Sequence, residues 1–304
     1  MTNRREFIRN SAGLVAGTVF TASIPSLFMP VYPPPGIQLF TFFNTMDSDV
    51  EGTLKRIAGI GYVEIESAFS HKSGFYGYSA PQFAELLKGL GLKWKSHHVL
   101  GAPYVPPPGT KMPVGADGKP FKMPPMKTLR DNAQEIIDDV KQGGVEYLVC
   151  ANIPTGTMEE VKSSIVILNN TNEACKKAGL KFAYHNHDAV FHELDGKIPY
   201  HMFLTETEVL MELDLAWAIK AGKDPVEIFD KHPGRFPLWH VKDMDSAHEQ
   251  TLPLGQGTID YKRIFSASEK AGLKYYFVED EMPKDPWGSI QASYQYLKQI
   301  APFA

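Results

Sequence analysis

The stretch MEEVKSSIVILNNTNEACKKAGLKFAYHNH, residues 158–187, decides the fold. Its first part, 158–178, reads as a helix, and Gly179-Leu180 is the punctuation that ends one. A glycine there takes the left-handed cap, and the apolar residue after it packs back on the helix. From Lys181 the period changes. Phe182 and Tyr184 alternate with Ala183, His185 and His187, as in a strand. The same unit recurs along the chain. Strands are predicted over 36–40, 63–67, 93–99, 147–150, 181–187, 209–215, 238–244 and 275–281. Helices are predicted over 50–59, 81–89, 127–142, 158–178, 225–232, 261–271 and 287–300. The cap signal returns at Gly59-Ile60-Gly61-Tyr62, Gly89-Leu90-Gly91-Leu92 and Ala271-Gly272-Leu273. Strands alternating with helices imply a parallel sheet. Eight such units imply a closed (β/α)8 TIM barrel, a single α/β domain over 34–304. The rival is a doubly wound open sheet, which would carry a glycine-rich phosphate loop after its first strand, and none follows here.

Bulk composition narrows the partners. A formal net charge of -4, with Lys and Arg scattered, leaves no basic footprint for nucleic acid. Cys150 and Cys175 are too few for a disulfide framework and read as buried thiols, with one bridge as the alternative. Residues 1–30 stand apart. Arg4-Arg5 precedes Phe7-Ile8 and Arg9, and a weakly apolar stretch rich in small residues follows. This reads as a twin-arginine export signal, placing the protein in the periplasm, or in the cytoplasm if that reading fails. Breaks at Pro25 and Pro30 argue against a membrane span, so no stable membrane insertion is expected after signal removal. Residues 101–125 hold eight prolines with no periodicity. A loop so long is usually functional or disordered, and here it is a candidate lid.

Barrel strands are buried on both faces and should be almost continuously apolar. Here their C-terminal ends are not: Glu64-Ile65-Glu66, Ser96-His97-His98, Tyr184-His185-Asn186-His187-Asp188, Glu212-Leu213-Asp214, His240-Val241-Lys242-Asp243 and Glu279-Asp280-Glu281. Polar groups in that position of this fold are usually catalytic. Pointing the larger apolar residues toward the helices leaves His185, His187, Asp214, His240 and Glu279 inside the mouth. Such groups are costly to bury without compensation. A divalent ion would provide it, and mixed nitrogen and oxygen donors suit Mn²⁺, Zn²⁺, Fe²⁺, Co²⁺ or Mg²⁺ rather than Ca²⁺.

These pieces, with Gly255-Gln256-Gly257-Thr258-Ile259-Asp260, resemble the xylose-isomerase-like barrels known as sugar phosphate isomerases/epimerases. That family also includes inosose dehydratases and hydroxypyruvate isomerases, and the resemblance runs over roughly residues 34–300. It implies one divalent metal held by Glu, Asp, His and Glu from strands five to eight. Asp214, His240 and Glu279 match the last three. The fifth-strand glutamate is absent; His185 falls nearest to it, with His187 one pleat further on. In the family's epimerases and ketol isomerases, two metal-bound glutamates pass a proton between carbons. A chain lacking one of them could do one-base chemistry instead, such as dehydration or β-elimination.

The resemblance implies an isomerase or epimerase acting on a sugar or keto-sugar through an enediolate stabilised by the metal. Glu279, or a histidine among His98, His185 and His187, would remove the proton α to the carbonyl. His98 is favoured over His97 because Ser96 and His98 keep period two. Lys242 could donate to a substrate oxygen, Glu66 and Gln38 could bind hydroxyls, and Trp217 or Phe42 could stack on a sugar face. Glu66 and Lys242 could equally form an ion pair across the mouth. Export would favour a non-phosphorylated carbohydrate or polyol. The alternative is a lyase or dehydratase on a keto-sugar, oxidised glycoside or keto-inositol. A third reading is a periplasmic sugar-binding protein without catalysis. The superfamily's endonuclease branch needs three metals and a basic groove, and neither is evident here. Barrels of this family often pair, so a homodimer is a candidate assembly.

Overall fold

In the computed structural model, which describes residues 32–70, 72–103, 126–281 and 283–303, eight parallel strands follow one another around a closed barrel. They are β1 Gly36–Gln38, β2 Glu64–Ser67, β3 Lys93–Leu100, β4 Tyr147–Asn152, β5 Lys181–His185, β6 Leu210–Asp214, β7 Leu238–Val241 and β8 Tyr275–Val278. β8 pairs with β1, which leaves no open edge. The predicted export segment and residues 104–125 of the candidate lid lie outside the described residues.

Local chemistry explains the punctuation. Helix Met158–Ala178 opens on a capping box, in which Thr157 Oγ1 accepts from Glu160 N at 3.1 Å and Glu160 Oε2 accepts from Thr157 N at 3.1 Å. It closes on Gly179, whose φ of 77° is the left-handed conformation. Strand ends are where the structure departs from the pattern. β1 stops at Gln38 and turns into the 3-10 helix Leu39–Phe42. β6 stops at Asp214, whose carboxylate accepts from Trp217 N at 3.0 Å and starts helix Leu215–Lys220. β7 stops at Val241, and Asp243–Met244 pairs antiparallel with Thr251–Leu252. Helices Phe43–Ser48 and Pro199–Glu206 lie in stretches that show no clear period.

Alternation along the strands sorts the core. Ile65, Phe182, Tyr184, Met211, Leu213, Trp239 and Val241 face the helices in one large apolar cluster. Tyr147, Val149, Ala183, Leu238 and Phe277 plug the barrel's interior. Both cysteines are buried and free. The functional end sits above this plug. Asp243 organises one of its loops: Oδ1 accepts from Met244 N at 3.0 Å and Ile259 N at 3.1 Å, and Oδ2 from Gly255 N at 2.9 Å. A Cβ on Gly257 would lie 2.2 Å from Met244 O, so the turn through residues 255–260 requires glycine there.

Two predictions follow from the lower barrel. A Cβ on Gly36 would stand 2.4 Å from Phe277 Cδ1, inside the plug. Gly36→Ala should therefore cost about 1–3 kcal/mol of stability by denaturant melting. Glu64 lies buried at the base of β2 with Oε2 unpartnered, and burial pushes its carboxyl up to about 7. The folded chain holds this proton more tightly than the unfolded one, so the group's stabilising contribution is full below its ordinary pKa and is lost as pH rises to about 7. Glu64→Gln should then melt like the parent at pH 4 and above it at pH 8.

Candidate active site

β-register brings the mouth's polar residues to two heights. Asp214 stands opposite His240 across β6 and β7, and Glu212 stands opposite His185 across β5 and β6. Gln38 stands opposite Glu66 across β1 and β2. The period-two reading of the third strand holds: His98 turns inward, and His97 turns out, with its Nδ1 2.8 Å from Ser67 Oγ.

Two carboxylates form the lower tier. His240 Nε2 lies 2.5 Å from Glu66 Oε1, and His98 Nε2 lies 2.5 Å from Glu212 Oε2. Gln38 Nε2 donates to Glu66 Oε1 at 2.8 Å, and His185 Nδ1 lies 3.2 Å from Glu212 Oε2. The upper tier is built from Asp214, Glu279 and Lys242. His240 Nδ1 lies 3.1 Å from Glu279 Oε2 and 3.9 Å from Asp214 Oδ2, and His185 Nε2 lies 3.9 Å from the same Asp214 oxygen. Lys242 Nζ sits 2.7 Å from Glu279 Oε2 and 2.8 Å from both Asp214 Oδ2 and Glu281 Oε1. Asn186 fixes the backbone of Asp214 from both sides, accepting from its N at 3.0 Å and donating to its O at 3.2 Å.

Electrostatics follow the geometry. Burial pushes Glu66 and Glu212 up to about 7, and it raises Asp214 against the pull of Lys242. Burial would also raise Glu279, but Lys242 and His240 outweigh it and hold that carboxyl well below its usual range. Burial opposes charge on Lys242, yet Asp214, Glu279 and Glu281 keep it an ammonium. His240 is likewise driven toward its charged form by Glu212, Glu279 and Glu66 despite burial. Burial lowers His185 and His187, and brings His98 to about 4.

Among the described residues, two groups of donors could hold a metal: His98, His185, Glu212 and His240, and Asp214, His240 and Glu279. Spacing separates them. Donors sharing one ion at bonds of about 2.0–2.2 Å stand roughly 3–3.6 Å apart. In the lower group His98 Nε2 lies 2.5 Å from Glu212 Oε2, a hydrogen bond too close for two donors on one ion, although His185 and His240 stand 3.2 and 3.3 Å from that oxygen. The upper tier's 3.1–3.9 Å separations bracket the required value. Asp214 Oδ2 is buried, and among the described residues its one close partner is the Lys242 ammonium at 2.8 Å. The upper tier therefore fits a divalent cation, with Lys242 sharing two of its carboxylates.

A cavity of about 260 Å³ opens over these groups. His98, His185, His187, Glu279 and Glu281 form its polar side, and Phe40, Phe69 and Leu100 its apolar side. A larger cavity of about 410 Å³ adjoins it through Phe69, His98 and Leu100, but lacks the convergence of titratable groups. Among the predicted residues, Glu66 and Gln38 lie fully buried beneath the cavity. Trp217 donates from Nε1 to Glu281 Oε1 at 3.0 Å, beside the mouth. Phe42 is buried against Trp287, because the chain has already left the strand, and Phe40 takes the rim. Glu212 was missed as a member of the cluster. Strand alternation puts it on the same face as Asp214, but its depth in the barrel is set by stagger between strands.

The family description "Xylose isomerase-like TIM barrel" matches residues 54–300. The chain is 25% identical over 181 residues to an inosose dehydratase of Geobacillus thermodenitrificans, a match covering 52% of this chain and 60% of that protein. An inosose dehydratase of Lacticaseibacillus casei matches at 24% identity over 48% of this chain and 54% of its own length. The matches thus span little more than half of these relatives. Among solved structures, a sugar phosphate isomerase/epimerase from Parabacteroides distasonis superposes with a TM-score of 0.72 at 26% identity, covering 90% of this chain and 99% of its own. The IOLI protein with a bound zinc atom shares the fold, at a TM-score of 0.63 and 17% identity over 88% and 98% of the two chains. With that match over most of its length and the closed barrel to carry it, the chain belongs to the xylose isomerase-like TIM barrel family.

Proposed function

We propose that the chain is a metal-dependent lyase that removes a β-leaving group, water or an alcohol, from a keto-sugar or keto-polyol. The observation that carries this reading is the histidine at the end of β5. β5 ends on His185 and carries no glutamate, and the family resemblance would put a second proton-passing glutamate nearest there, which supports one-base chemistry. The similarity to inosose dehydratases supports the same direction. A divalent ion at Asp214, His240 and Glu279 would supply Lewis acidity toward the substrate carbonyl.

The remaining chemistry belongs to the chain. His187 is half-buried on the cavity wall, and its imidazole is kept neutral, so it can take the proton α to the carbonyl. Glu279 is the weaker base, because Lys242 and His240 both hold its Oε2. The C–H electron pair becomes the new C=C bond as the β C–O bond breaks. The departing oxygen then takes a proton and leaves as water or alcohol. Lys242 does not line the cavity; its ammonium, held by Asp214, Glu279 and Glu281, offsets the charge of those carboxylates beside the substrate. No arginine or lysine is among the described residues lining the cavity, whereas Glu279 and Glu281 are, which supports a non-phosphorylated substrate. Export through a twin-arginine signal belongs to the same proposal.

A second reading, isomerisation or epimerisation, draws on Glu281 beside Glu279 in the cavity and on the Parabacteroides distasonis structure. Product analysis separates the two. Incubated with a keto-inositol or a keto-glycoside, the enzyme should form a conjugated enone that absorbs in the ultraviolet. A stereoisomer without enone would overturn the elimination and favour the second reading. His187→Gln should lower kcat by about 10²–10⁴-fold while the protein keeps its metal. Asp214→Ala/His240→Ala should lose the metal measured by elemental analysis, and equal metal content in parent and variant would remove these residues from the ion.

A further inference from the structure

Glu66 and Glu212 are buried carboxylates at the very bottom of the mouth, with side chains wholly shielded from solvent. Neither is among the residues that line the cavity. They stand close enough for the charge of Glu212 to push the Glu66 carboxyl up, and between them they contact three imidazoles. Holding two acids this deep is costly unless they do something that apolar residues could not.

Their contacts are one-sided. His240 turns Nε2 down to Glu66 at 2.5 Å and thereby turns Nδ1 up to Glu279 and Asp214. His185 turns Nδ1 down to Glu212 at 3.2 Å and Nε2 up to Asp214. His98 braces the pair from β3, its ring stacked on that of His240 at 5.0 Å between centroids. Gln38 holds Glu66 from β1. The acids thus span the floor from β2 to β6 and meet both rings on the side away from Asp214 and Glu279.

We infer that Glu66 and Glu212 are positioning residues: a carboxyl pair beneath the site, in which Glu66 fixes the ring orientation and tautomer of His240 so that its Nδ1 is presented to a divalent ion, and Glu212 holds His98 and the His185 ring beside it. This rests on the metal-binding reading above and assigns the two acids a role other than contacting substrate. An imidazole that donates its far N–H to a carboxylate is fixed in tautomer and made a better donor, and loss of such a partner typically weakens metal binding by about 10–100-fold.

Two measurements on the full chain test this. The first uses wild-type protein loaded with Zn²⁺ and histidine ¹⁵N shifts, assigned with a His240→Asn control. Nδ1 of His240 should bear the metal and Nε2 the proton; the reverse tautomer overturns the inference without requiring any change to the acids. The second is chelator competition for Zn²⁺, with the visible spectrum of the Co²⁺ form, in Glu66→Gln and Glu212→Gln. Each should bind about 10–100-fold more weakly, with an altered Co²⁺ spectrum and a cooperative melt retained. Wild-type affinity and spectrum in both variants would overturn the positioning role. Absence of Zn²⁺ binding by the wild type would instead sink the metal reading itself, and the positioning role with it.

Discussion

A closed barrel gives every strand two buried faces, and this chain places acids, imidazoles and a lysine on the inner one. Everything at the mouth depends on how that charge is balanced. An isolated ion in such a place would cost several kcal/mol, and removing one partner of a buried pair costs about 3–5 kcal/mol. The balance here is contact by contact. Lys242 meets Asp214, Glu279 and Glu281, while His240 lies between Glu66 below and Glu279 above. Asp243, one residue after Lys242, satisfies backbone amides of the following loop instead. One short segment, residues 240–243, therefore supplies a candidate metal donor, a counter-charge and a loop anchor.

The two-tier arrangement also bears on the chemistry. A site that must bind a cation and still stay folded without one needs an internal substitute for its charge. Here Lys242 meets three carboxylates, and Glu212, Glu279 and Glu66 drive His240 toward its charged form. A cation at Asp214 and Glu279 would meet carboxylates already gathered and would share them with an ammonium held 5.0 Å from the Trp217 ring. That one ammonium therefore balances the charge of three carboxylates at the mouth.

Several features were readable because they follow from strictly local rules. Helix 158–178 carries a capping box at one end and a left-handed glycine at the other, and its bounds follow from those residues. His98 rather than His97 faces inward because strand alternation has a fixed period. Other features were not readable, for reasons equally physical. Phe42 is available for stacking only if the first strand extends through Phe40. The chain instead leaves the sheet at Leu39, and the resulting turn reverses which phenylalanine meets the cavity. Helix Leu215–Lys220 was hidden because Asp214 serves both as strand end and as helix cap. Glu212 shares a face with Asp214, but depth along a barrel axis depends on stagger between strands, which one strand's sequence does not contain.

The sequence by itself determined the eight-unit barrel, the face each polar residue occupies and the end of the barrel where they gather. These follow from periods of 3.6 and 2 and from cap chemistry, all of which act within a few residues. Only the tertiary structure decided which polar groups touch. Glu66 and His240 are far apart in the chain and 2.5 Å apart in space. That contact is set by closure and stagger of the whole sheet. The division of the mouth into a hydrogen-bonded floor and a cation-sized upper tier is thus a property of the closed barrel, because distances of tenths of an ångström between strands decide whether two donors share a proton or an ion.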